Sequence, residues 1–215
     1  MPLAKVIVLS ACALVVVLSV LFLISYVRRT NRVVRDSQDI LSDKELIEFI
    51  NSQPDKIIDS KLLMEEFGLT KFEAGGRLRH FQSNGLVQTM SSRNGLKHYF
   101  TLARPIDKPY ELKLTDDPFM TIEDLMLIFK HNDYQVTLQE ICLSTGLPIK
   151  VILEEMKYFE KEKVIKCLLK PQQGGFYHQK VYTLCEPYRS NPNQYLDLKE
   201  ANLELKEIVS KVNKA

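Results

Sequence analysis

A chain that carries one pattern twice is constrained to fold as a repeat, and this chain does so. Residues 67–87 align without a gap on residues 145–165. Gly68-Leu69 falls on Gly146-Leu147, Leu78 on Met156, Phe81 on Phe159, and the closing pair Leu86-Val87 on Val164-Ile165. Farther on, Phe100-Thr101-Leu102 answers Tyr182-Thr183-Leu184, with four extra residues in the second copy. Recurrence of pattern rather than identity marks duplicated supersecondary units.

Each copy is readable element by element. In the first, Ser42 and Glu45 form a capping box for a helix whose apolar face is Leu46, Ile47, Phe49 and Ile50, and Pro54 ends it. Ser60 opens a short second helix closed by Gly68. Thr70 opens a third, with Ala74, Leu78 and Phe81 on one stripe. Residues 86–90 and 96–102 read as strands joined at Asn94-Gly95, a favoured hairpin turn. In the second copy Thr121 with Asp124 and Thr137 with Glu140 start two helices. Pro148 sits at the head of the third, and residues 164–169 and 180–184 are the strands. Phe81 and Phe159 are expected to be equivalent buried residues.

Helix, helix, tight Gly turn, helix and β-hairpin is the order of a winged helix-turn-helix, the Gly allowing two helices to cross steeply within a few residues. Residues 38–104 and 118–187 each resemble the winged-helix superfamily of bacterial and archaeal regulators. The fold class expected is α+β: an N-terminal transmembrane helix, two tandem winged-helix domains and a C-terminal helix. Residues 105–117, with Pro105 and Pro109, read as a semi-rigid linker, although the alternation over residues 110–114 also fits an added strand. Residues 188–215 read as the C-terminal helix. Within them residues 194–213 space Leu198, Ala201, Leu205, Ile208 and Val212 along one face, for packing in cis or for a homodimer seam.

Residues 6–27 form an uninterrupted apolar run, about 33 Å long as a helix and so long enough for a bilayer core. The anchor is assigned to residues 1–30 and a basic juxtamembrane segment to 31–37. Lys5 precedes the run, whereas Arg28, Arg29, Arg32 and Arg35 follow it, which by the positive-inside bias places the bulk of the chain in the cytoplasm. A cleaved signal would have a shorter core and a small-residue site. Leu9-Ser10-Ala11-Cys12 matches a lipoprotein box, but fifteen residues of the apolar run follow it. Cys142, Cys167 and Cys185 occupy apolar periodic positions without metal-ligand spacing and are read as buried thiols.

The first 37 residues hold a charge of +4 of the chain's +2 total, leaving −2 for the rest. The first unit is neutral, with nine basic and nine acidic residues. A non-specific nucleic-acid binder carries a clear positive excess. No paired His, phosphate-cradling Gly loop or metal cluster is legible, so no catalytic residue, cofactor or metal is assigned and an enzyme is not expected.

What the resemblance implies is DNA reading by a membrane-anchored transcriptional regulator. Setting Ala74, Leu78 and Phe81 inward turns Phe72, Gly76, Arg79 and Ser83 outward, flanked by Lys71, Arg77 and His80. The candidate DNA contacts are therefore Lys71, Arg77 and Arg79, with Arg93 and Lys97 on the wing. In the second unit Lys150, Glu154, Lys157 and Lys161 face out, and Glu154 and Glu155 would repel phosphates. The alternative is a protein-interaction adaptor, using Phe72 with Gly75 and Gly76, where a backbone can approach closely. A third reading gives the four arginines to anionic headgroups.

Overall fold

The computed structural model describes residues 3–106, 112–171, 177–191 and 198–214. Its first element is one unbroken helix, α1 (Leu3–Asp36), which continues through the segment expected to be a separate juxtamembrane stretch. This helix is long and apolar enough to cross a membrane, with mean hydropathy 2.0 and none of its apolar window buried. Residues such as Leu14, Leu18, Leu21 and Phe22 are all more than half exposed, so they form no part of a protein core.

The first unit contains α2 (Asp43–Ser52), α3 (Ser60–Phe67), α4 (Lys71–Ser83), β1 (Val87–Ser91) and β2 (His98–Leu102). The second contains α5 (Ile122–His131), β3 (Gln135–Thr137), α6 (Leu138–Thr145), α7 (Ile149–Lys161), β4 (Ile165–Pro171) and β5 (His178–Leu184); α8 (Leu198–Lys214) follows. Local chemistry sets the helix starts. The Ser42–Glu45, Thr70–Glu73 and Thr121–Asp124 capping boxes form, and Glu140 accepts from Thr137 N at 2.6 Å. The cap of α3 is Asp59 rather than Ser60: its carboxylate accepts from Leu62 N at 2.9 Å.

The duplication extends to the hydrogen bonds. Val87 pairs with Leu102 as Ile165 pairs with Leu184. A bridge between Ile58 and Phe100 corresponds to the β3–β5 pair Val136 and Tyr182. The short first strand of each unit was not legible in the sequence. With it, the second unit's sheet has the order β3-β5-β4, and the first has the same arrangement with Ile58 in place of β3. Phe81 and Phe159 are both fully buried in the continuous apolar core, as expected. Gly85 (φ 75°) and Lys163 (φ 57°) hold equivalent left-handed turns. The first unit uses Gly there because a Cβ would lie 2.7 Å from the His178 carbonyl of the second.

That contact is one of several joining the units. Arg104, just before the assigned linker, pairs with Glu140 at 2.6 Å, and its carbonyl accepts from Gln139 Nε2 at 2.8 Å. At the far end Thr115 donates to Asp124 through both its N–H and its hydroxyl. The linker is thus tied to the second unit at both ends. Residues 107–111, and with them part of the alternation read as a possible strand, lie outside the described residues. In α8, Leu205 and Val209 are buried in cis against α5 and α7, so the apolar face read as a dimer seam is in part used within the chain. The side chains of Leu198 and Ala201 lie outside those described.

Candidate functional site

The residues proposed to read DNA do not share one surface. Lys71, Arg79, Arg93 and Lys97 are exposed. Arg77 is not: it is fully buried, which corrects its placement on the flank of a reading helix. Its guanidinium lies 2.8 Å from Asp43 Oδ1, the first residue of α2, and 5.9 Å from the centroid of the Phe81 ring. The contact with Asp43 is an ion pair outside hydrogen-bond geometry, and Arg77 Nε and Nη1 have no hydrogen-bond partner among the described residues. Burial lowers the pKa of Arg77, with Asp43 opposing the shift.

Asp43 is a junction between the units. Its Oδ2 accepts from Gln38 Nε2 at 3.0 Å and from the backbone N–H of Ile149 at 2.8 Å. Pro148 supplies no side-chain cap to α7, so a carboxylate from the first unit takes that role. His80 and Cys142 sense the same pair. Burial pushes His80 below its usual value, Asp43 opposing and Arg77 adding to the shift. Burial pushes the Cys142 thiol up. Of the other two thiols read as buried, Cys167 and Cys185 are only half-buried.

Position 77 has its counterpart at Glu155, and the second unit also buries a charge-bearing group there. Glu155 is fully buried and accepts from Met120 N, 3.3 Å from each carboxylate oxygen, just ahead of α5. Desolvation raises its pKa to about 8, the Met120 N–H opposing and Asp124 adding. Its placement against phosphates is therefore also corrected. Glu154 does face solvent, paired with Lys157 at 2.7 Å. In both units the third helix clamps the start of the first, by an ion pair in one and by a carboxyl–amide bond in the other.

α1 lies against the Phe72–Gly76 part of the outward face of α4, while Arg79 and Ser83 farther along that face stay exposed. A Cβ on Gly76 would lie 3.8 Å from Val34 Cγ2, an ordinary packing distance, and the Arg29 guanidinium stands 5.5 Å from the Phe72 ring centroid. Val34 and Ser37 are buried at this junction. The neighbour of Gly76 and Phe72 is thus the chain's own helix. Gly75 faces Arg79, whose Nη2 would be 3.8 Å from an added Cβ.

The second unit offers a different surface. Lys166, Leu168, Val181, Thr183 and Gln135 line the outer face of its sheet with Arg189, around a groove of about 200 Å³. Leu168 and Leu169 on β4, an edge strand, are 51% and 61% exposed. Leu168 lines the groove, and Leu169, the next residue along the strand, belongs to the opposite face. Nothing in the sequence singled them out, because alternation along β4 does not say where either face lacks a cover. No protein-family model and no curated protein matches the chain, so its function has to be read from its own residues.

Proposed function

We propose that the chain is a single-pass membrane protein whose cytoplasmic region is a tandem pair of winged-helix units acting as a non-catalytic protein-interaction scaffold. The observation that carries this is the seating of α1 along the outward face of α4. The B-DNA major groove, about 12 Å wide, admits one helix. Two helices packed at 8–10 Å between axes do not enter it. The shared sheet order and the equivalent bridges support the winged-helix assignment, and the uncovered apolar span of α1 supports the anchor. A partner would engage the sheet groove and the exposed leucines of β4, since uncovered apolar surface on an edge strand suits strand addition or apolar docking.

DNA binding is the second reading, favoured by the exposure of Arg79, Arg93 and Lys97. The full chain in lipid nanodiscs separates the two. On the scaffold reading, Leu168→Glu with Leu169→Glu removes a cross-linkable protein partner, and duplex DNA is not retained at about 50 mM salt. DNA retention that Arg93→Glu with Lys97→Glu abolishes would instead establish the regulator.

A further inference from the structure

We propose that the first unit is seated on the bilayer itself, the start of α4 lying at headgroup depth and forming with α1 one surface for anionic phospholipid headgroups. This rests on the reading of α1 as a membrane span. The groups concerned are Lys71 and Phe72 of α4 with Arg28, Arg29 and Arg32 of α1.

The geometry follows from two contacts and an unbroken helix. Because α1 runs without interruption from Leu3 to Asp36, no flexible tether separates the apolar run from the first unit. Arg29 meets Phe72, and Val34 meets Gly76. Both helices advance by about one turn between these contacts, so they run in the same direction. Stepping back along both from the Val34–Gly76 contact at 1.5 Å per residue puts Phe72 level with residue 30, about 4–5 Å beyond Val27. Lys71 lies nearer still. The headgroup layer is about 5–7 Å deep on each side of the hydrocarbon. The start of α4 therefore falls within it.

The chemistry of the surface suits that depth. Phe72, half-buried, supplies an aromatic ring at the interface. Arg28, Arg29, Arg32 and Lys71 are exposed, and among the described residues none of them has a carboxylate within ion-pair distance. The nearby acids are mostly engaged: Asp36 with Arg35, Glu65 with Lys61, and Glu73 in the cap of α4, which leaves Glu66 and Asp39 as the opposing charges. Along one face of α1, Leu21, Ile24 and Ser25 are followed by Arg28, Arg29, Arg32 and Val33, so apolar and basic groups succeed one another on the same side of the helix. An apolar stretch below a cluster of cations matches a lipid's first acyl carbons and its phosphate.

The chain contains no tryptophan, which gives a clean test. Phe22→Trp and Phe72→Trp are each reconstituted as the full chain in phosphatidylcholine vesicles, with and without phosphatidylglycerol. Quenching is read with nitroxide lipids labelled at the headgroup or deep in the acyl chain. Phe22→Trp should be quenched by the deep label. Phe72→Trp should be quenched at least about twofold more by the headgroup label than by the deep one. Phosphatidylglycerol should strengthen that quenching, and Lys71→Gln with Arg32→Gln should remove the increment. Lys71→Trp, at an exposed position, repeats the depth reading without disturbing packing. Deep quenching at position 22 with none at 72 or 71 overturns the seating while the span stands. No quenching at position 22 overturns the span and the seating with it. Equal quenching in both vesicles overturns recognition of anionic headgroups.

Discussion

Replacing Glu155 by Gln isolates a single buried group. With its pKa at about 8, Glu155 is protonated in the folded chain over a range where the unfolded chain, near 4.5, has lost that proton. The folded state then binds more protons than the unfolded one, so this residue makes stability fall as pH rises from about 4.5 to 8 and level off above. The shift amounts to an upper limit of about 4–5 kcal/mol at 1.36 kcal/mol per unit, of which roughly 3–4 kcal/mol falls between pH 5 and 8. Gln keeps an acceptor for the Met120 N–H and has no proton to lose. The variant should therefore match wild type within about 1 kcal/mol at pH 5 and exceed it by about 3 kcal/mol at pH 8 to 9. The assay is urea unfolding of the full chain in a neutral detergent, followed by tyrosine emission at each pH. Taking the difference between variant and wild type cancels His80, which has the opposite sign: its lowered pKa costs stability as pH falls below about 6.5. A difference that does not change between pH 5 and 8 would refute the assignment of Glu155 as a buried, protonated group.

Asp43→Ala should cost on the order of 3–5 kcal/mol, because it leaves Arg77 buried without its partner and uncaps α7; Asp43→Ala with Arg77→Met should recover most of that loss in the same unfolding assay. Phe81→Ala and Phe159→Ala should each cost about 3–5 kcal/mol, and a loss below about 1 kcal/mol at either would break the equivalence of the repeats. Gly85→Ala should be worse than Gly146→Ala by at least about 1 kcal/mol, since both take positive φ but only Gly85 has backbone at 2.7 Å from the new methyl; equal losses would mean that the β4–β5 hairpin does not press on that turn. A reporter fused behind Ala215 should be active on the cytoplasmic side only, and activity in an exported compartment would reverse the topology.

Much of the fold was written locally. Serine or threonine followed three residues later by an acid marks four helix starts, and Asn94-Gly95 marks the first hairpin, because capping and turn chemistry act between residues close in the chain. The repeat put Phe81 and Phe159 in the core, since a 3.6-residue period reports which face of a helix its own unit covers. The two shortest strands escaped because a bridge at Ile58 and three residues at β3 carry no period.

The candidate site was decided by contacts at long range. Periodicity separates one buried stripe from the rest of a helix, and it cannot say whether a second body covers that remainder. Arg77 and Glu155 stand beside the core stripe, where a charge would ordinarily be solvated. They are buried because Asp43, 34 residues before Arg77, and Met120, 35 before Glu155, close over them. Gly75-Gly76 was legible as a place for close approach, but only the packed structure brings α1 to Gly76. The cap of α7 came from Asp43, 106 residues away, because a proline at that position left the helix start unfilled by any local side chain. Burial of charge depends on which surfaces meet, and a sequence pattern records surfaces without recording their meeting.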